Sequence, residues 1–179
     1  MTRVSVIMYE NRGSSIYTQS NDTTIEKYGE LLLSAEDKDT VTEIMTKEVH
    51  TLGPNRKTID ALNLMVDNDI GSVLVIQRGQ IVGIITERDI VRKITKSFDY
   101  LDRPLSETAK KTVISVGPTT PIWEAFALML KNKIRRLPVL KNGKIVGIIT
   151  ERDLFKWTVK VAYEPNVPKD LRKLIEQND

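Results

Sequence analysis

Short apolar runs alternate with polar turns along the middle of the chain, and the same order of runs occurs twice. The first run, Val49 to Leu52, reads as a strand that stops at Gly53-Pro54, a turn signal. Ile59, Leu62, Met65 and Val66 follow at spacings of three and four, which predicts one face of a helix. Ser72 to Ile76 then reads as a strand, Gln77 to Gln80 as a turn, and Ile81 to Ile85 as a buried strand. A closing helix begins at Glu87. The second passage repeats this order with Val113 to Val116, Gly117-Pro118, and a helical set of Ile122, Ala125, Phe126, Met129 and Leu130. Its strands are Leu137 to Leu140 and Ile145 to Ile149, joined through Asn142-Gly143, a favoured two-residue hairpin turn, and its last helix begins at Glu151. Met65 and Met129 read as core filler.

A fixed offset of 64 residues superposes the two passages without a gap. The string Val82-Gly-Ile-Ile-Thr-Glu-Arg-Asp89 recurs as Val146-Gly-Ile-Ile-Thr-Glu-Arg-Asp153, and 21 of 54 aligned positions are identical, which marks an internal duplication. The predicted fold class is α/β (α+β), two tandem units of strand-helix-strand-strand-helix. One unit of about 54 residues buries too small a core to be secure alone. The copies are therefore expected to pack sheet against sheet about a pseudo-twofold axis, leaving two equivalent clefts. The predicted boundaries are an extension at 1–40, a first unit at 41–98, a second at 99–161 and a tail at 162–179.

In the flanks, Val4 to Tyr9 reads as a strand, Asn11 to Asn21 as a polar loop and Ile25 to Leu33 as a short helix. Lys169 to Gln177 reads as a short helix that caps its own subunit, with a partner contact as the alternative. Trp123 and Trp157 stand where the first copy has Ile59 and Lys93, and aromatics at such helix positions belong to a core or an interface.

Composition narrows the chemistry. Cysteine is absent, which excludes disulfides and thiolate metal sites, and the single histidine, His50, excludes a His-rich metal cluster. No metal and no cofactor are expected. No apolar run approaches the ~20 residues of a membrane helix and no signal-peptide pattern opens the chain, so a cytoplasmic location is expected. The net charge of +3 is uneven: residues 1–40 carry −3, the tail from Val159 is neutral, and residues 41–158 carry +6. A mildly basic middle could favour a phosphate-bearing partner, nucleotide or nucleic acid, though on charge alone a solvated surface with excess lysine is the stronger reading.

Thr86 and Thr150 stand where a buried strand hands over to a helix, with Asp89 and Asp153 three residues on. Thr-x-x-Asp at such a place resembles a capping box. The same place also attracts phosphate, because a helix N-terminus presents unpaired N–H groups and the positive end of its dipole. There a threonine hydroxyl can donate to phosphate, and an aspartate one turn along can accept from both ribose hydroxyls. Arg88 and Arg152 add a positive fork that capping leaves unexplained. Arg135-Arg136 of the second copy replaces Gly71-Ser72 of the first, either as a polyphosphate contact or as charge protecting a sheet edge. Unequal sites follow, with the stronger phosphate site expected at Arg135 and Arg136.

On these motifs residues 41–158 resemble a tandem CBS-domain pair, also called a Bateman module. The resemblance rests on the Gly-hydrophobic-hydrophobic-Thr-x-x-Asp motif (Gly83 to Asp89, Gly147 to Asp153), the Arg-Arg-Leu-Pro-Val strand start and the Gly-Pro turn. It implies ribose on Asp89 and Asp153, and phosphate near Thr86, Thr150, Arg88 and Arg152. It also implies adenine held by His50, Thr51, Ile70 and Ile84 at one site and by Ile114, Ser115, Ile134 and Ile148 at the other. Gly71-Ser72 departs from the pattern, leaving the first site without a basic phosphate contact. The implied function is a regulatory sensor of AMP, ADP or ATP, with S-adenosylmethionine as second choice, signalling to an unidentified regulated protein. A homodimer through the helices is also implied, and no enzyme, since no catalytic constellation is visible. The rival reading is nucleic-acid binding through the basic middle, which lacks stacked aromatics and a recognisable binding motif.

Overall fold

Each strand and helix read from the repeat is present in the computed structural model, which describes residues 5–9 and 39–163. The loop at Asn11 to Asn21 and the helices at Ile25 to Leu33 and Lys169 to Gln177 lie outside the described residues. In chain order the elements are β1 (Ser5–Tyr9), α1 (Val41–Ile44), β2 (Thr51–Leu52), α2 (Thr58–Asp67), β3 (Ser72–Gln77), β4 (Gln80–Thr86) and α3 (Glu87–Ile94). A 3-10 turn at Phe98–Asp102 leads to α4 (Leu105–Thr108), β5 (Thr112–Val116), α5 (Ile122–Asn132), β6 (Arg136–Lys141), β7 (Lys144–Thr150) and α6 (Glu151–Tyr163). The fold is mixed α/β, with strand-helix-strand-strand-helix in each copy. No helix among the described residues is long and apolar enough to cross a membrane.

The turns explain where the elements stop. Arg78 and Gly79 between β3 and β4 have φ of 52° and 79°, and Asn142 and Gly143 between β6 and β7 have 52° and 74°. Two consecutive positive φ values suit the right-handed twist of a hairpin. Just past α2 and α5, Asp69 and Lys133 are left-handed, and the next amides, Ile70 N and Ile134 N, donate to Met65 O and Met129 O at 3.0 Å. That is the six-to-one bond of a Schellman motif. It fixes Ile70 and Ile134 at the starts of the following strands.

β2 runs parallel to β3, β3 antiparallel to β4, and these form one sheet in the order β2-β3-β4. The other sheet has the order β1-β5-β6-β7, with β5 parallel to β6. β3 is buried on both faces: Val73 and Val75 pack with Ala61, Met65, Ile85, Ile90 and Leu105, and Leu74 with Ile81, Val113 and Leu140. A strand covered on both sides reads as a continuous apolar run, as Val73 to Ile76 does. Truncating a fully buried member such as Ile85 to Ala would cost about 2–5 kcal/mol. Met65 and Met129 are fully buried, as filler should be. Val66 is a correction, 70% exposed, because the buried stripe of α2 runs through Thr58, Ala61 and Met65 one position away.

Among the described residues one compact unit gathers 5–9, 47–115 and 140–146, and the other gathers 39–46, 116–139 and 147–163. The reason is a reciprocal exchange. Val41 N donates to Thr120 O at 2.9 Å and Thr42 N to Pro118 O at 3.3 Å, while Thr46 and Ile148 trade two 2.9 Å bonds. At an offset of 64, Leu105 N donates to Arg56 O and Ser106 N to Pro54 O, both at 2.8 Å. Lys110 and Ile84 likewise trade bonds of 2.8 and 3.0 Å. Each copy thus lends its leading segment to the other, and backbone amides that would stand free on β4 and β7 are satisfied.

Candidate functional site

The arrangement repeated within the molecule is the junction from strand to helix, built once in each unit. In the first, Thr86 ends β4 with extended backbone and caps α3. Its hydroxyl accepts from Asp89 N at 3.2 Å and donates to Asp89 Oδ2 at 2.7 Å. In the second, Thr150 Oγ accepts from Asp153 N at 3.4 Å and donates to Asp153 Oδ2 at 2.6 Å. Thr150 N adds a 2.7 Å bond to the same carboxylate oxygen. The capping reading of Thr-x-x-Asp is therefore realised in both copies, and it holds each hydroxyl and carboxylate together at the helix N-terminus.

The strand starts sit against these junctions. Glu87 N donates to Gly71 O at 3.3 Å, and Ser72 pairs with Thr86 across β3 and β4. Glu151 N donates to Arg135 O at 2.9 Å. Thr51 pairs with Leu74, and His50 O accepts from Leu74 N at 3.3 Å, so the first strand joins the same sheet. Of the first-site candidates, His50, Thr51, Ile70, Gly71, Ser72, Ile84, Thr86, Arg88 and Asp89 all fall within one unit. Of the second, Ile134, Arg135, Arg136, Ile148, Thr150, Arg152 and Asp153 fall within the other unit. Ile114 and Ser115 belong to the first unit instead, on β5. Ser115 is fully buried there, and its hydroxyl donates to Ile7 O of β1 at 3.4 Å.

The charged candidates separate by environment. Arg88 and Arg152 are exposed in the first turns of α3 and α6, open to an anionic ligand. Arg135 is exposed and pairs with Glu151 at 3.5 Å. Arg136 begins β6, which lies between β5 and β7. β6 is interior to its sheet, which weakens the edge-protection reading for Arg136, whereas Arg135 precedes the strand and both readings stand for it.

Two groups at the first site escaped the sequence reading. Lys110 Nζ stands 2.6 Å from Asp89 Oδ1, so a cation does reach the site that lacks one at Gly71-Ser72. The signal was its offset partner, Thr46, an uncharged residue at a position where the copies differ. Tyr100 is buried, its hydroxyl donating to Thr108 O at 3.3 Å. Burial, and then the charge of Asp89, push its phenol above the usual range.

A family profile described as CBS domain matches residues 41–96 and 105–160. The CBS domain-containing protein YhcV of Bacillus subtilis is 32% identical over 114 residues, covering 64% of this chain and 81% of its own. An uncharacterised 17.7 kDa protein of Acidianus ambivalens is 40% identical over 116 residues, covering 64% of this chain and 70% of its own. Among solved structures, the CBS-domain containing protein ATU1752 of Agrobacterium tumefaciens has a TM-score of 0.64 at 27% identity, covering 66% of this chain and 98% of that one. CBSX2, solved in complex with AMP, has a TM-score of 0.60 at 26% identity, covering 69% and 98%.

Proposed function

The chain belongs to the CBS-domain family, as a tandem pair, and on that premise we propose that it is a regulatory sensor of adenine nucleotides, AMP, ADP or ATP. The observation that carries this reading is the duplicated pairing of a threonine hydroxyl with an aspartate carboxylate, Thr86 with Asp89 and Thr150 with Asp153, at a helix N-terminus. The carboxylates suit a ribose diol, and the threonines with Arg88 and Arg152 suit phosphate. The AMP complex of the similar protein CBSX2 supports the choice of ligand. Adenine is assigned to the apolar side chains beside each junction, Ile70 and Ile84 or Ile134 and Ile148. Binding would bias one arrangement of the pair over another, and a partner protein would read the shift, which requires the ligand to prefer one state.

Titration calorimetry of the wild type, Asp89→Ala and Asp153→Ala with AMP, ADP and ATP tests the reading. Each variant should lose one binding event. No heat at millimolar ligand, or unchanged binding in both variants, overturns it. The pair is further proposed to form a homodimer through its helices, supported by Val66, Val91 and Phe155, which are more than half exposed on α2, α3 and α6. Sedimentation velocity should give a dimer that Phe155→Glu weakens.

A further inference from the structure

We propose that Lys110 is the specificity-determining residue of the first site, a built-in counter-ion that a ligand displaces only by offering the ammonium a phosphate. The inference rests on the reading of Asp89 as the ribose ligand. Both oxygens of that carboxylate are occupied: Oδ2 accepts from Thr86 at 2.7 Å, and Oδ1 faces Lys110 Nζ at 2.6 Å. The Asp89 side chain is only 14% exposed, whereas that of Lys110 is 63% exposed, so the lysine lies on the carboxylate's open side. A ribose hydroxyl that approaches Oδ1 competes with the ammonium for that oxygen.

The backbone of Lys110 is pinned. It exchanges two hydrogen bonds with Ile84, and its carbonyl lies 3.0 Å from the position of a Cβ on Gly83. Only the flexible four-carbon stem can swing. A neutral nucleoside therefore breaks an ion pair and offers the ammonium nothing in return. A nucleotide brings an anion toward Thr86, whose hydroxyl shares the Asp89 carboxylate with Lys110. In the second copy, the residue with the same two backbone bonds is Thr46, too short and uncharged for this role. Among the described residues Asp153 has no cationic partner within salt-bridge distance. The first site is thus selective for phosphorylated ligands, and the second is without this device.

Calorimetry with adenosine and AMP tests this in an Asp153→Ala background, which leaves the first site alone, with and without Lys110→Thr. Asp153→Asn replaces Asp153→Ala if the latter does not fold. Lys110→Thr should strengthen adenosine and weaken AMP, reducing the AMP-to-adenosine preference about tenfold. Thr46→Lys in an Asp89→Ala background should impose a matching preference on the second site. Appearance of adenosine binding only in Lys110→Thr also supports the gate. An unchanged preference, or equal loss for both ligands, overturns it. Silence of the first site with and without Lys110, while Asp89→Ala still binds AMP, overturns the gate and leaves the nucleotide reading intact. Silence of every protein removes both.

Discussion

The carbonyl oxygen of Thr46 lies 3.0 Å from the point that a Cβ on Gly147 would occupy. The motif glycine is therefore a packing residue, small so that the leading segment of the other copy can lie against β7. Gly83 has the same role toward Ala109 Cβ and Lys110 O, both at 3.0 Å. Gly83→Ala and Gly147→Ala should each destabilise the fold by about 1–3 kcal/mol, read from chemical denaturation. Gly83→Ala should cost more. Its neighbours are a fixed Cβ and a backbone oxygen, whereas the nearest atoms to Gly147 belong to the side chain of Met45, which can turn.

Glu124 stands in the first turn of α5, where the helix dipole favours an anion, yet burial holds its carboxyl above the usual range. A carboxyl whose folded pKa is raised contributes stability below the unfolded value, and that contribution is lost as pH rises through the folded one. Glu124→Gln should therefore raise Tm at pH 8, with the gain shrinking to nothing near pH 4. A pH-independent difference between variant and wild type would contradict this origin.

Arg78 occupies a left-handed position, φ 52°, where the second copy has Asn142 at the same angle. Asparagine tolerates that conformation better than arginine. Arg78→Asn should stabilise the protein by about 0.5–1 kcal/mol, seen as a higher denaturation midpoint with an unchanged slope.

Trp157 Nε1 donates to Asp39 Oδ2 at 2.9 Å, a bond spanning 118 residues of sequence, and the indole is buried. Trp157→Phe keeps most of the apolar area and loses the bond, a cost of about 1.5–3 kcal/mol for a charged acceptor. Thermal unfolding followed by circular dichroism checks it, and Asp39→Asn, which retains an acceptor, should cost less.

The repeat, its order of elements and its turns were legible because each has a side-chain signature: alternation, helical spacing, Asn142-Gly143 and the string shared by Val82 to Asp89 and Val146 to Asp153. The exchange of leading segments was not legible. Its bonds run between backbones, as from Val41 N to Thr120 O, and backbone groups are the same for almost every residue. Only the two motif glycines hinted at it, and they looked like part of a ligand motif. The Thr-Asp pairs were placed correctly from spacing because i to i+3 geometry at a helix start is local. Lys110 was missed because its partner, Asp89, lies in the other copy. Val66 was misplaced because an apolar residue on a helix does not declare whether a neighbour will cover it.

The exchange also sets an order of assembly. Ile84 and Lys110 are 26 residues apart along the chain, whereas Thr46 and Ile148 are 102 apart. The longer loop costs about 1.2 kcal/mol more to close in chain entropy. During synthesis, moreover, the near joint is complete before the far one has its second half. Two joints alike in their hydrogen bonds thus form in sequence. The segment 41–46 can gain its partner on β7 only once β7 has left the ribosome.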